Sequence, residues 1–231
     1  MTIKGVLFDF SGTLMHIEPA EHWLRAALER TGLTLPEGEL ARYAQELEEA
    51  GALPGGSTPA HLPPDLRELW EVRDRDARRH RELYTGLARR VALPDPALYD
   101  ALYDRHKLPD AWEPYPDARA VLEELHLRGV PAAVVSNIGW DLRPVFRAHG
   151  LAPYVRDYVL SYELHVQKPE PEIFRAGCAA LGLGPEQVLM VGDNARADGG
   201  ATALGCAFHE VPPLRPQERP SALRPVLSLV P

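Results

Sequence analysis

Val6-Leu7-Phe8-Asp9-Phe10-Ser11-Gly12-Thr13-Leu14 is the stretch that decides the fold. Three apolar residues in a row, bounded by polar turn residues, read as a short buried strand. Asp9 follows directly, so a carboxylate stands at the strand's carboxyl end. Gly12, three residues further on, supplies the backbone freedom for a tight turn. The nine residues place an acid at the rim of a sheet.

Further strands follow only after a long gap. From residue 115 onward, short apolar runs alternate with helical patterns. Residues 130–135, 158–160, 188–191 and 206–208 read as strands. Residues 117–127, 141–149, 171–181 and 195–204 read as helices, the first two ended by Gly129 and Gly150. Such alternation predicts a doubly wound, Rossmann-like parallel sheet with helices on both faces, an α/β fold. The proline-rich end, residues 211–231, is expected to wrap this core and finish in one short helix.

Between these parts lies a helical, charge-rich segment. Trp23, Leu24, Ala27 and Leu28 recur at helical spacing, as do Leu66, Leu69, Trp70, Leu83, Leu87 and Val91. Gly51-Ala52-Leu53-Pro54-Gly55-Gly56-Ser57 reads as a loop between them. The expected organisation is a core of residues 1–14 and 112–231, interrupted by an all-helical cap of residues 15–111.

In an open parallel sheet, ligands bind beyond the carboxyl ends of the strands. The polar residues at those ends are Asp9, Ser11 and Thr13, then Ser136 and Asn137, then Lys168 ahead of a helix, then Asp193 and Asp198. Carboxylates converging to ~4 Å repel by roughly 4 kcal/mol at an effective dielectric of 20. Such a cluster needs protons or a cation. Oxygen ligands with no His/Cys cluster nearby suit Mg2+.

Four stretches, in order, resemble the motifs of the haloacid dehalogenase-like hydrolase superfamily. They are Asp9-Phe10-Ser11-Gly12-Thr13, Ser136 after a buried strand, Lys168-Pro169 before a helix, and Gly192-Asp193-Asn194-Ala195-Arg196-Ala197-Asp198. The resemblance covers most of residues 1–14 and 112–210. It implies a helical cap after the first strand, Asp9 as nucleophile and Lys168 as its counter-ion. It implies Mg2+ held by Asp9, Asp193 and the main-chain carbonyl of Ser11, with Asp198 orienting metal-bound water or the lysine. Ser136, Thr13 and backbone amides near Ser11 and Asn137 would hold phosphate oxygens. The substrate implied is a small phosphorylated metabolite.

Ser11 departs from the family's Asp-x-Asp-Gly-Thr pattern. The second aspartate protonates the leaving group in the family's phosphatases, a role a serine hydroxyl is too weak an acid to fill. Positioned acid–base catalysis is worth about 10²–10⁴-fold. Three readings follow: a phosphatase with another acid or with good leaving groups, a 2-haloacid dehalogenase-like enzyme, or a binding or regulatory protein. Halide leaves without a proton, which suits Ser11; the family's dehalogenases lack the Gly-Asp form of the fourth motif, which Asp193 retains.

Composition sets outer bounds. The net charge of −8 argues against nucleic acid as a partner. No apolar run reaches the ~18 residues of a membrane helix, and the first residues lack a signal-peptide pattern. Cys178 and Cys206 are too few for a disulfide framework and are expected to be reduced, in a cytoplasmic chain. A monomer and a homodimer are both compatible with the sequence. Arg73, Arg75, Arg78, Arg79 and Arg81 interleave with acids and read as a solvated helix face. Trp140 is a candidate pocket wall, and His16 is the histidine nearest the first motif.

Overall fold

The computed structural model describes residues 2–231; Met1, and the side chain of Glu37, lie outside the described residues. Strand β1 (Gly5–Phe8) is the centre of the sheet. Beside it lie β4 (Ala132–Ser136) and β6 (Val188–Gly192), both parallel to it. Outside them are β5 (Asp157–Leu160) and β7 (Ala207–Glu210), giving the order β5-β4-β1-β6-β7. Side chains alternate across the sheet. Val6 and Phe8 join Val134 and Val191 on one face, while Leu7 joins Val135 and Met190 on the other. Both faces are covered by helices, so the strand is apolar throughout rather than alternating.

Helices α6 (Ala118–Leu127) and α7 (Arg143–Ala148) contribute to the first face. α9 (Pro171–Leu181) covers the other, preceded by the single turn α8 (Ser161–Leu164). Because β1 has neighbours entered from opposite directions along the chain, a crevice opens at its carboxyl end. Asp9 stands there, and its N–H donates to the Val191 carbonyl at 2.9 Å.

The segment after β1 forms helices α1 (Ala20–Thr31), α2 (Glu37–Glu49), α3 (Arg67–Val72), α4 (Ala77–Ala88) and α5 (Ala97–Arg105). Their apolar faces build a separate core around Trp23, Leu24, Leu47, Leu87 and Leu98. The indole N–H of Trp23 donates to the Leu102 carbonyl at 2.8 Å, tying α1 to α5.

Three local expectations are corrected. Residues 15–17 are not part of the helical segment: β2 (Met15–Ile17) pairs antiparallel with β3 (Trp112–Pro114), a two-stranded neck between the helices and the sheet. Strands of three residues carry no readable periodicity. Residues 195–204 are not one helix. The Asn194 side chain accepts the N–H groups of Arg196 and Ala197 in an Asx turn, and a 3-10 helix spans only Asp198–Leu204, where Gly199 and Gly200 disfavour a longer α-helix. The last strand begins after Cys206 and runs to Glu210.

The tail crosses the sheet's edge and returns to the first face. Val211, Leu223, Val226 and Val230 are buried there, with Val226 opening the short helix α10 (Val226–Leu229). Asp117 accepts the N–H groups of Leu223 and Arg224. Cys178 and Cys206 are buried free thiols with their sulfurs 3.9 Å apart. Among the described residues, no helix is long and apolar enough to cross a membrane.

Candidate active site

The carboxyl ends of β1, β4 and β6 bring Asp9, Ser136 and Asp193 to one cavity of about 270 Å³. Lys168, between α8 and α9, enters from the side. Its Nζ donates to Asp9 Oδ1 and to Asp198 Oδ1, both at 2.6 Å. Asp198 Oδ2 accepts the Asn194 N–H at 3.0 Å. The Asn137 side chain grips the Lys168 backbone twice, accepting its N–H at 2.6 Å and donating to its carbonyl at 3.0 Å. Its carboxamide therefore positions the lysine.

One carboxylate oxygen from each of Asp9, Asp193 and Asp198 lies within 4.8 Å of the others. Gly12, at φ 78°, lets the first loop run against Asp193; a Cβ there would collide with its carboxylate. Burial raises Asp9 to about 7, with Lys168 opposing the rise and Asp198 and Asp193 adding to it. Burial raises Asp193 to about 6, with Asp198 adding. For Lys168 burial opposes the charge, but Asp198 and Asp9 outweigh it and hold the ammonium protonated well above its ordinary range. An oxygen-only cluster in which burial opposes the charge of Asp9 and Asp193 fits a divalent hard cation.

Asp9 and Asp193 bind protons in the fold at pH values where the unfolded chain, at 3.8, has released them. Without metal, their contribution to stability is present below about pH 4 and is lost as pH rises to between 6 and 7. Melting in chelator should show this loss, Asp193→Asn should shrink it, and added Mg2+ should raise the melting temperature more at pH 7 than at pH 5. A Mg2+ effect equal at both pH values would contradict the assignment.

The other expected site residues divide. Ser11 and Asn137 line the cavity. Thr13 does not: it is fully buried, its hydroxyl has no hydrogen-bond partner, and its carbonyl serves the tail. Trp140 is not on the wall; it packs behind Phe10 and Trp112, with centroids at 6.2 and 6.0 Å. Trp112 and Trp70 line the cavity instead. His16 sits in β2 beside Glu113 and Tyr115, off this wall.

Three features were not foreseen. Loop residues 51–58 cover the cavity, and Ser11 Oγ lies 3.4 Å from the Gly55 carbonyl. Arg73, Asp74, His80 and Tyr84 form its outer wall. Arg219, from the tail, is buried and donates to the carbonyls of Gly12 (2.5 Å), Thr13 (2.6 Å) and Pro212 (3.3 Å), with its guanidinium 3.4 Å over the Tyr115 ring. Nothing in the tail's sequence marks this arginine. Arg219→Met would leave buried carbonyls unpaired, at about 1–3 kcal/mol each. Chemical denaturation should show a loss of at least about 2 kcal/mol; a variant as stable as the native chain would refute the brace.

A family model described as haloacid dehalogenase-like hydrolase matches residues 3–204. The chain belongs to the haloacid dehalogenase-like hydrolases. Relatives of this hydrolase carry two kinds of activity in their names. It is 32% identical over 207 residues to (S)-2-haloacid dehalogenase 4A of Burkholderia cepacia, covering 88% of this chain and 80% of that one. It is 31% identical over 211 residues to ribulose-1,5-bisphosphate 5-phosphatase of Halopiger xanaduensis, covering 87% and 81%. The match to phosphoserine phosphatase of Thermus thermophilus is 39% identical but short, covering 36% of this hydrolase and 34% of that protein. The solved L-2-haloacid dehalogenase from Xanthobacter autotrophicus superposes with a TM-score of 0.64 at 25% identity, covering 98% of this chain and 83% of that one.

Proposed function

We propose that this hydrolase is a Mg2+-dependent phosphatase acting on a small phosphorylated metabolite through an aspartyl-phosphate at Asp9. The observation that carries the reading is the convergence of Asp9, Asp193 and Asp198 with Lys168 in one cavity. The cavity's size supports a small substrate, and the helical segment α1 to α5 would act as the cap that closes it.

Asp9 and Asp193, with the Ser11 main-chain carbonyl, would hold Mg2+, whose charge would neutralise phosphoryl oxygens and the carboxylate cluster together. Asp9, freed of its proton and held by Lys168, attacks phosphorus to give the acyl phosphate. Lys168 also faces the charge that develops on the transferring group. The Ser136 hydroxyl and backbone N–H groups at Ser11 and Asn137 would cradle its oxygens. Asp198, with its two oxygens on Lys168 and the Asn194 amide, orients the lysine. Thr13 braces the loop behind.

The test is phosphate release from a panel of phosphorylated metabolites, with and without Mg2+, by the native chain and by Asp9→Asn. Release by the native chain alone, only with Mg2+, supports the reading; release that survives Asp9→Asn removes the nucleophile. Similarity to the Burkholderia dehalogenase over most of both chains keeps carbon–halogen hydrolysis as the second reading. Chloride release from a 2-haloacid in chelator would establish it in place of the first.

A further inference from the structure

Expelling an alkoxide from phosphorus needs a proton at the leaving oxygen, and position 11 offers only a hydroxyl. The loop that covers the cavity also comes close to that position. A Cβ at residue 55 would stand 2.8 Å from Ser11 Oγ and 2.5 Å from the Trp112 ring, so the loop packs directly over the serine. The proton must come from elsewhere on the cavity wall.

Beyond the carboxylate cluster and Lys168, the wall carries four ionisable groups: Arg73, Asp74, His80 and Tyr84. Arg73 keeps its proton at any working pH. Burial, with Arg73 and Lys107, pulls His80 down to about 3, so it is neutral and gives up no proton at pH 7. Burial raises Tyr84 above its ordinary range, too weak an acid to help. Asp74 remains. It is 4% exposed. Burial raises its carboxyl above 3.8 while Arg73 and Lys168 oppose the rise, which favours proton exchange nearer neutral pH.

Asp74 is also held in place. It lies in the 3-10 turn Arg73–Arg75 of the helical segment. Its carbonyl accepts the Ser161 hydroxyl at 2.5 Å, and Ser161 Oγ in turn accepts the N–H of Ile138, two residues past Ser136, at 2.9 Å. On either side, Gln167 Nε2 donates to the Glu71 carbonyl at 2.6 Å and Arg75 donates to Glu170 at 2.9 Å. The turn is thus riveted to the segment that carries Lys168. Arg73 Nε stands 3.4 Å from Asp74 Oδ2, and His80 Nε2 3.9 Å from Oδ1, flanking the carboxyl.

We infer that Asp74 is the proton donor and acceptor of the phosphatase reaction proposed above, in place of a carboxylate at position 11. The inference rests on that reading. In the first step Asp9 bonds to phosphorus, the ester P–O bond breaks, and the Asp74 proton passes to the departing alkoxide. In the second, water bonds to phosphorus and gives its proton to the Asp74 carboxylate, while the P–O bond to Asp9 breaks and restores the Asp9 carboxylate.

Ethyl phosphate and acetyl phosphate are similar in size, but acetate leaves without a proton. Single-turnover formation of phosphoenzyme from each, with Mg2+, isolates the first step. Asp74→Asn should slow formation from ethyl phosphate by about 10²–10⁴-fold and leave formation from acetyl phosphate unchanged, which also shows the variant to be folded. Breakdown of the phosphoenzyme should slow equally with both. Equal slowing of formation with both, slowing with neither, or a native chain that uses only acetyl phosphate would overturn Asp74 as the donor. Should Asp74→Asn not fold, the native chain decides: a solvent deuterium isotope effect on formation is expected with ethyl phosphate and not with acetyl phosphate, and equal effects overturn the inference. No phosphoenzyme from either compound in the native chain would instead overturn the phosphatase reading itself.

Discussion

Asp9→Asn should lower phosphatase turnover on the order of 10⁴-fold or more, the scale seen when a covalent nucleophile is removed. The amide keeps the shape of the carboxyl and can still accept from Lys168, so the variant should fold and melt cooperatively. What it loses is the oxygen that bonds to phosphorus. The loss should be equal for alkyl and acyl phosphates, because both reactions begin with the same attack. This separates Asp9 from Asp74, whose removal spares the acyl compound. Steady-state rates on ethyl and acetyl phosphate check it. A variant within tenfold of the native rate on either would show that Asp9 is not the attacking group.

Lys168→Met should destabilise the fold by about 3–5 kcal/mol near pH 7, the usual result of leaving a buried charge without its partner. Lys168 is 4% exposed and bridges two carboxylates at 2.6 Å each. Without it, Asp9 and Asp198 face each other and Asp193 with no cation. The folded-state pKa values of Asp9 and Asp193 then move further above the unfolded value, and proton uptake restores stability as pH falls. Denaturation in chelator should therefore show a larger deficit at pH 7.5 than at pH 5. A deficit under about 1 kcal/mol, or one that grows on acidification, would contradict the role given to the lysine. Mg2+ should recover part of the loss by supplying positive charge to the same cluster.

The sheet and the inner half of the cavity were legible because each depends on local sequence. An apolar run marks a buried strand, and the polar residue ending it must fall at the sheet's carboxyl rim. Asp9, Ser136 and Asp193 follow from that rule. Lys168 needed the resemblance as well, since a lysine before a helix is ordinarily solvated. The outer half was not legible. Asp74 sits in Arg73-Asp74-Arg75-Asp76, an alternation of charge that predicts a solvated face. That holds for Arg78 and Arg81, which pair with Glu82, Asp100 and Asp104 at partly exposed sites. It fails for Asp74 because Ser161 and Gln167, distant in sequence, draw that turn onto the sheet. Thr13 was placed on the phosphate by its motif, whereas the loop buries it and presents its carbonyl to Arg219. Arg219 itself lies among prolines with no periodicity around it, so only the folded tail reveals its three carbonyl partners.

Ser11 is the residue at which sequence and structure together say most. Loss of the second aspartate removes an acid. Gly55 of the covering loop lies beside the serine and against Trp112. Asp74 lies on the part of the cavity wall contributed by that same helical segment.

The most direct measurement of the central claim is covalent trapping. The native chain, incubated with Mg2+ and acetyl [32P]phosphate and quenched in acid, should carry one labile acyl phosphate, and peptide mapping should find it on Asp9. Label on another residue, or none under conditions where phosphate is released, would contradict an aspartyl-phosphate mechanism at this site.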